Sequence, residues 1–341
     1  MLDKSALKSK IEALVSEYNV AGLTAAITDR KGNLFSEGFG VESVERPVLK
    51  TEPLSLFKIA SISKVITGLV IMKLCEEGLL SLDTPVKKYV PWLRLSRPEA
   101  ESVMTLRHIL CHGSGLSSEI RKNGPKDERY LEEQLKKILP ELEMTSLPGE
   151  EKYLYSNYGF VLASYIAKTV TGTRYSVLAT EKILLPLGMT RTFYDLNVYA
   201  TYPVALPHIE DESGKLKVKH IITSDATRFG SGEIFSNVED LARLIRFFLN
   251  RGVNDRGERI LSESSIDMML SPQIDRCDGG YHGFAIHIRK FGDGYIKGHT
   301  GYLPPYRASL FFDTDKGIGA VVLLNTDKDE IRDDILKMVF D

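Results

Sequence analysis

Cysteine is scarce in this chain, and odd in number. Cys75, Cys111 and Cys277 are the only three in 341 residues, too few and too scattered for a disulfide framework. An excess of one charge sign is also missing. The formal net charge is -2, which leaves no electrostatic footprint for nucleic acid or an anionic membrane. No apolar run reaches the length of a membrane span, and Lys73 breaks the best candidate. The N-terminal stretch MLDKSALKSKIEALVSEY lacks the continuous apolar segment and small-residue cleavage site of a secretory signal. A cytoplasmic protein is therefore expected if Met1 is the native start. There is no internal repeat, no low-complexity segment and no G-x-S-x-G elbow, so the α/β-hydrolase route is unsupported.

What is present is an ordinary globular composition, 43% hydrophobic, in a chain long enough for two lobes. Leu7, Ile11, Leu14 and Val15 give the N-terminus the spacing of an amphipathic helix. GLTAAITDRKGNLFSEGFG then reads as two strands about a turn at 29–33, with Gly32 expected at φ > 0. Cys75 is expected in the core of an apolar helix that stops at Gly78. From about 100 to 190 the pattern is helical, with helices over TLRHILCH, 130–139, 157–171 and 174–184. The segment 190–230 is hard to read; it holds a charged DESGK turn, with a short hairpin expected on either side. SNVEDLARLIRFFLN is a helix capped by Ser236 or Asn237, and SESSIDMML another. YHGFAIHIRK, GYIKGHT, RASLFFDT and IGAVVLLN are candidate strands, DTDKG a hairpin turn, and EIRDDILKMVF a closing amphipathic helix. Strands at both ends with helices between them predict an α+β fold. One antiparallel sheet, built from 1–60 and 230–341 and flanked by terminal helices, carries an inserted, mainly helical lobe over 61–229, with the site between them.

Ser61 and Lys64 stand one helical turn apart at the entrance of the apolar helix. Unpaired N–H groups and the helix dipole there favour an oxyanion, and a buried lysine on the same face can take the serine proton. Ser-x-x-Lys is common, and Ser5–Lys8 and Ser55–Lys58 repeat it. Only Ser61 sits at a hydrophobic helix entrance. Two further patterns offer partners. In Tyr155-Ser156-Asn157, a tyrosine relays a proton if a nearby cation lowers its pKa, and an asparagine amide holds both a lysine and a substrate carbonyl. The bland alternative is a packed aromatic with Asn157 as a helix cap. In His299-Thr300-Gly301, at a strand end, the glycine lets substrate backbone approach and the strand edge can pair with it. A plain β-turn is the alternative.

Taken in order, SISK at 61–64, YSN at 155–157 and HTG at 299–301 resemble the serine β-lactamase and penicillin-binding-protein superfamily, in its class C-like branch. That branch includes DD-peptidases, D-aminopeptidases and family VIII carboxylesterases. The flanks FKIASISK, TLRHILCHGSGL and GHTGYLPPYRASLFFDTDKGIGAVVLLN are similar to it as well. The resemblance implies Ser61 as nucleophile, Lys64 as general base and Tyr155 as proton shuttle. It also implies that Asn157 orients Lys64 and substrate, that the strand with His299, Thr300 and Gly301 lines the site, and that the N–H groups of Ser61 and Tyr302 form the oxyanion hole.

His299 stands where class C β-lactamases have lysine, and a histidine is mostly neutral at pH 7. The expectation is therefore an acyl-enzyme hydrolase of small carboxylic esters. The alternatives are a D-amino-acid peptidase or amidase, a penicillin-binding protein with weak β-lactamase activity, or a non-catalytic β-lactam or peptide sensor. The partner is then a small ester, amide or β-lactam, with no cofactor. Oligomeric state carries no sequence signal. His108, Cys111 and His112 cluster as zinc ligands can, but the reading is structural, without metal. Arg307 is either a surface arginine or a contact for a substrate carboxylate.

Overall fold

The computed structural model describes residues 3–118, 127–220 and 225–341. Its central feature is an eight-stranded antiparallel sheet drawn from both ends of the chain. The strands are β1 (Gly22–Asp29), β2 (Asn33–Gly40), β3 (Ile274–Asp275), β4 (Tyr281–His282), β5 (His287–Phe291), β6 (Gly294–Leu303), β7 (Tyr306–Asp313) and β8 (Ile318–Leu324). Their order is β2-β1-β8-β7-β6-β5-β4-β3. Leu23 opposite Leu324 and Asp29 opposite Ile318 join the N-terminal hairpin to β8. The apolar run IGAVVLL suits this inner position, because both its faces are covered.

The five longest described helices are α1 (Lys4–Glu17), α2 (Ser63–Glu76), α3 (Asn157–Thr171), α4 (Val238–Leu249) and α5 (Glu330–Phe340). On one face α1 and α5 bury Leu7, Ile11, Ile331, Ile335 and Leu336. The other face carries the larger core, which α2, α3 and α4 share. Eleven of the 14 residues of α2 are buried. A helix with no polar stripe belongs inside a fold rather than on its surface. Cys75, near its end, is only partly buried and packs against this core from the edge. Asn237 rather than Ser236 caps α4, accepting from the Asp240 N–H at 3.0 Å. The helical block contains Leu106–Leu110, Leu131–Ile138 and Tyr175–Ala179, the last continuing into a π-turn at Thr180–Leu184. In the segment 190–230, His208–Glu210 and Leu216–Val218 form one hairpin closed by the DESGK turn itself, rather than a hairpin on either side of it; 221–224 lie outside the described residues.

Three local expectations need correction. Gly32 does not adopt positive φ. The Asp29 carboxylate closes the β1–β2 turn instead, accepting from the N–H groups of Lys31 at 2.7 Å and Gly32 at 3.0 Å. YHGFAIHIRK is not one strand. Ala285 turns with φ +60 and its N–H donates to Leu110 O at 2.8 Å, which draws the buried Phe284 into the helical core and splits the run into β4 and β5. The strand carrying His299 does not end there; β6 continues to Leu303 before turning at Pro304–Pro305 into β7. Among the described residues, no helix is long and apolar enough to cross a membrane.

Candidate active site

The chain enters the site along the short strand Phe57–Lys58, which pairs with Phe235–Ser236. It then turns sharply at Ala60, whose φ is +47. A left-handed non-glycine residue costs about 1–2 kcal/mol. Packing of Ile59 and Ile62, both fully buried, holds it, as does the Ser63 hydroxyl, which donates to Ala60 O at 2.6 Å. The strained turn presents Ser61 within the 3-10 turn Ala60–Ile62 that leads into α2. Nothing in the sequence announces this strain, because alanine is not a left-handed residue type.

Lys64 is fully buried, and its Nζ has three partners. It lies 3.1 Å from Ser61 Oγ, 2.7 Å from Asn157 Oδ1 and 2.7 Å from Ser231 O. Burial, and then the charge of Arg228, hold its pKa well below the ordinary lysine value. The distances accommodate the neutral amine: two N–H bonds to the two carbonyl oxygens leave the nitrogen lone pair available to the Ser61 hydroxyl 3.1 Å away. Ser231 escaped sequence reasoning, since its contribution is a main-chain carbonyl with no residue-type signature. The rival copy at Ser55–Lys58 is different. Lys58 meets the carboxylate of Glu233, whereas every hydrogen-bond partner of Lys64 is uncharged. In Ser5–Lys8 the lysine is exposed and pairs with the Glu37 carboxylate at 3.2 Å.

Asn157 reaches Lys64 because it is not the helix cap. Ser156 takes that role, its hydroxyl accepting from the Gly159 N–H at 3.1 Å, so the amide of Asn157 in the first turn of α3 is free to point at the lysine. The buried His112 fixes the approach to α3 on both sides of Tyr155. Its Nδ1 accepts from the Ser156 N–H at 3.0 Å, and its carbonyl from the Leu154 N–H at 2.8 Å.

Tyr155 stands beside Ser61, and Lys64 Nζ sits 4.9 Å from its ring centroid. Its pKa is raised, not lowered as a cation would make it: burial dominates and the Ser61 contact offsets only part. The lysine lies over the ring instead of at the hydroxyl. Tyr155 is therefore a neutral phenol, suited to passing protons rather than acting as a standing base.

Gly301 has a different reason from the one its motif suggested. A Cβ at this position would stand 2.2 Å from Ile59 O. The close approach is by the protein's own nucleophile turn, not by substrate. β5 pairs with β6 only as far as His287–Gly298, so 299–303 have a strand on one side alone. Counting back from the two-residue hairpin, alternation directs the main-chain groups of Thr300 and Tyr302 to the open edge. The Tyr302 side chain is exposed and stacks on Arg307, whose guanidinium carbon is 3.4 Å from the ring centroid. Arg307 is neither a surface arginine nor free: it is mostly buried and paired with Asp327. His299 is buried, with Nδ1 2.6 Å from Thr300 O and a pKa held well down by burial and then by Lys64.

His108, Cys111 and His112 do not converge. The His108 ring accepts from the Thr105 N–H at 3.2 Å in a helix cap, Cys111 contacts His108 O, and only His112 turns toward Tyr155.

Residues 7–338 match the Beta-lactamase family model. The chain belongs to the beta-lactamase family. That membership supports the serine-hydrolase class expected from the sequence. The chain is 25% identical over 324 residues to Protein flp of Staphylococcus aureus (strain COL), a match covering 94% of this chain and 63% of that protein. It therefore spans less than two thirds of the length of that relative. Teichoic acid D-alanine hydrolase of Staphylococcus aureus (strain NCTC 8325 / PS 47) is 25% identical over 273 residues, 76% of this chain and 65% of that protein. Among solved structures, the octameric penicillin-binding protein homologue from Pyrococcus abyssi superposes with a TM-score of 0.80 at 28% identity, covering 95% of this chain and 74% of that one. D-amino acid amidase from Ochrobactrum anthropi SV3 shares the fold, with a TM-score of 0.76 at 21% identity over 98% of each chain.

Proposed function

We propose that this chain is a serine acyl hydrolase that forms an acyl-enzyme at Ser61 and acts on small D-aminoacyl esters and amides. The observation that carries the reading is the set of uncharged partners around the buried Lys64, which favours a neutral amine 3.1 Å from Ser61 Oγ. The D-aminoacyl class is supported by the names of the relatives, one a teichoic acid D-alanine hydrolase and one a D-amino acid amidase. A D-aminoacyl ester is one kind of small carboxylic ester, the substrate class expected from the sequence, and the amides belong to the D-amino-acid amidase alternative.

In this reading the Ser61 proton passes to Lys64 Nζ while Oγ bonds to the substrate carbonyl carbon. The carbonyl oxygen becomes an oxyanion held by the N–H groups of Ser61 and Tyr302. On collapse the bond to the leaving group breaks. The leaving group takes its proton from the Tyr155 hydroxyl, which Lys64 resupplies. Water then attacks the ester at Ser61 by the same route in reverse, releasing the acid. Asn157 keeps Lys64 aimed at Ser61 throughout. The proposed site lies between the sheet-bearing parts, 1–60 and 230–341, and the mainly helical part, 61–229.

Amides deserve equal weight with esters for one reason. An amine leaving group must be protonated as it departs, and Tyr155 is held as a neutral phenol beside Ser61. The test is a panel of chromogenic D- and L-alanyl esters, D-phenylalanine amide and a chromogenic cephalosporin, each run with Ser61→Ala as control. Turnover of D-aminoacyl substrates that disappears in the variant is expected. Absence of turnover across the panel, or turnover unchanged in Ser61→Ala, overturns the reading.

A further inference from the structure

Behind Tyr155, four histidine rings pack together. His112 follows the helix Leu106–Leu110, His282 ends β4, His287 opens β5 and His299 lies in β6. The ring centroids of His112 and His282 are 4.7 Å apart, those of His282 and His287 5.0 Å, and those of His287 and His299 4.0 Å. The His112 ring is in turn 4.3 Å from that of Tyr155. In all four, Nε2 is buried and makes no hydrogen bond among the described residues. One ring nitrogen from each of His112, His282 and His299 lies within 4.8 Å of the other two. Three buried histidines at this spacing invite a metal ion.

The tautomers oppose one. His112 Nδ1 accepts from the Ser156 N–H, so a neutral ring carries its proton on Nε2. His282 Nδ1 is 2.7 Å from Gly283 O, and His299 Nδ1 is 2.6 Å from Thr300 O. A carbonyl only accepts, so both Nδ1 atoms carry protons and both Nε2 atoms present lone pairs. The unpartnered set is therefore one donor and two acceptors, whereas a three-histidine metal site needs three lone pairs. Charge argues the same way. The set holds no carboxylate, and the cation Arg276 acts on it. A buried dication there would be repelled and uncompensated.

A water molecule has the complementary pattern: its oxygen accepts from His112, and its two hydrogens go to His282 and His299. The distance is compatible: tetrahedral hydrogen-bond partners of one oxygen stand about 4.7 Å apart, and the three ring nitrogens lie within 4.8 Å of one another. We propose that His112, His282 and His299 form a three-point site for one buried water molecule, and that this water positions Tyr155. His112 grips the chain on both sides of Tyr155, and His299 belongs to the strand whose open edge faces substrate. The water ties these two elements together. The positioning role rests on Tyr155 being the proton relay proposed above; the water site itself does not.

Two measurements on the unmodified protein test the site without reference to activity. Long-range proton–nitrogen spectra of the imidazoles should report the Nε2–H tautomer for His112 and the Nδ1–H tautomer for His282 and His299, unchanged when zinc is added. A high-resolution crystal structure should place one oxygen within hydrogen-bond reach of all three Nε2 atoms. An Nδ1–H tautomer at His112, no ordered atom at that point, or one equivalent of zinc bound there overturns the proposal. The positioning role is read from two variants. His282→Leu removes an acceptor and should lower kcat about 10- to 100-fold, as small misplacements do, with KM held within about two-fold if binding is untouched. His282→Gln keeps an acceptor oxygen and should recover most of the loss. Unchanged kcat in His282→Leu, or equal losses in both folded variants, overturns the positioning role while leaving acylation of Ser61 intact.

Discussion

Lys64 Nζ and Asn157 Oδ1 lie 2.7 Å apart across 93 residues of chain. This contact fixes which way the lysine lone pair points, so its removal separates orientation from basicity. Asn157→Ala should lower kcat by up to about 100-fold through misorientation of the base. Asn157→Asp should do something else: a carboxylate beside Lys64 favours the ammonium form and moves the rise of kcat/KM to higher pH. Matched pH–rate profiles of the two variants check this. An unshifted profile in Asn157→Asp would contradict the assignment of Lys64 as base.

The wild-type profile follows from the same burial. Lys64 is held below its ordinary value of 10.5, first by desolvation and then by Arg228. kcat/KM should rise with pH as Lys64 loses its proton. Tyr155 is raised above its ordinary value of 10.0, so no descending limb from this phenol is expected below that point. Stability follows with the same sign. Between the folded value and 10.5 the unfolded chain binds a proton that the folded chain has released, so unfolding free energy should climb with pH through that window, as far as Lys64 contributes. A descending limb near neutrality that persists when Tyr155 is replaced would assign the titration elsewhere.

Gly301 carries a steric prediction. A Cβ there meets Ile59 O at 2.2 Å, and that oxygen cannot retreat without moving Ser61. Gly301→Ala should cost about 1–3 kcal/mol, the usual range for overpacking, and should also depress kcat. Urea midpoints with an unchanged m-value measure the first effect, and initial rates the second.

Ala60 makes the opposite prediction for stability. Ala60→Gly relieves a left-handed alanine worth about 1–2 kcal/mol and returns about 0.5–1 kcal/mol through a freer unfolded chain. The melting temperature should hold or rise slightly while kcat falls, because Ser61 loses its rigid mount. A drop of several degrees would show that the turn is not strained in the way its φ implies.

Much of this was legible in the chain. The split of strands between the two ends predicted one sheet, and β1 against β8 realises it. SISK, YSN and HTG were legible as residue types, and the fold hydrogen-bonds Lys64 to Ser61 and Asn157 with Tyr155 beside them. What could not be read was whatever depends on main chain or on long-range packing. Ser231 acts through a carbonyl. Ala60 is strained only because Ile59 and Ile62 are locked into the core. His282 and His287 looked like ordinary residues of a single strand, and their meeting with His112 and His299 needed the break at Ala285. The pKa of Tyr155 had the wrong expected sign because a sequence does not show whether a cation reaches a hydroxyl or a ring face.

The most direct test of the central claim is the mass of the enzyme during turnover. A D-alanyl ester with a slow-reacting acyl group is mixed with the protein, quenched in acid, and the digest is mapped by mass spectrometry. The account predicts one acyl group per chain, on the peptide containing Ser61, and none in Ser61→Ala. Turnover without an adduct at Ser61, or an adduct on another residue that survives in Ser61→Ala, would contradict it.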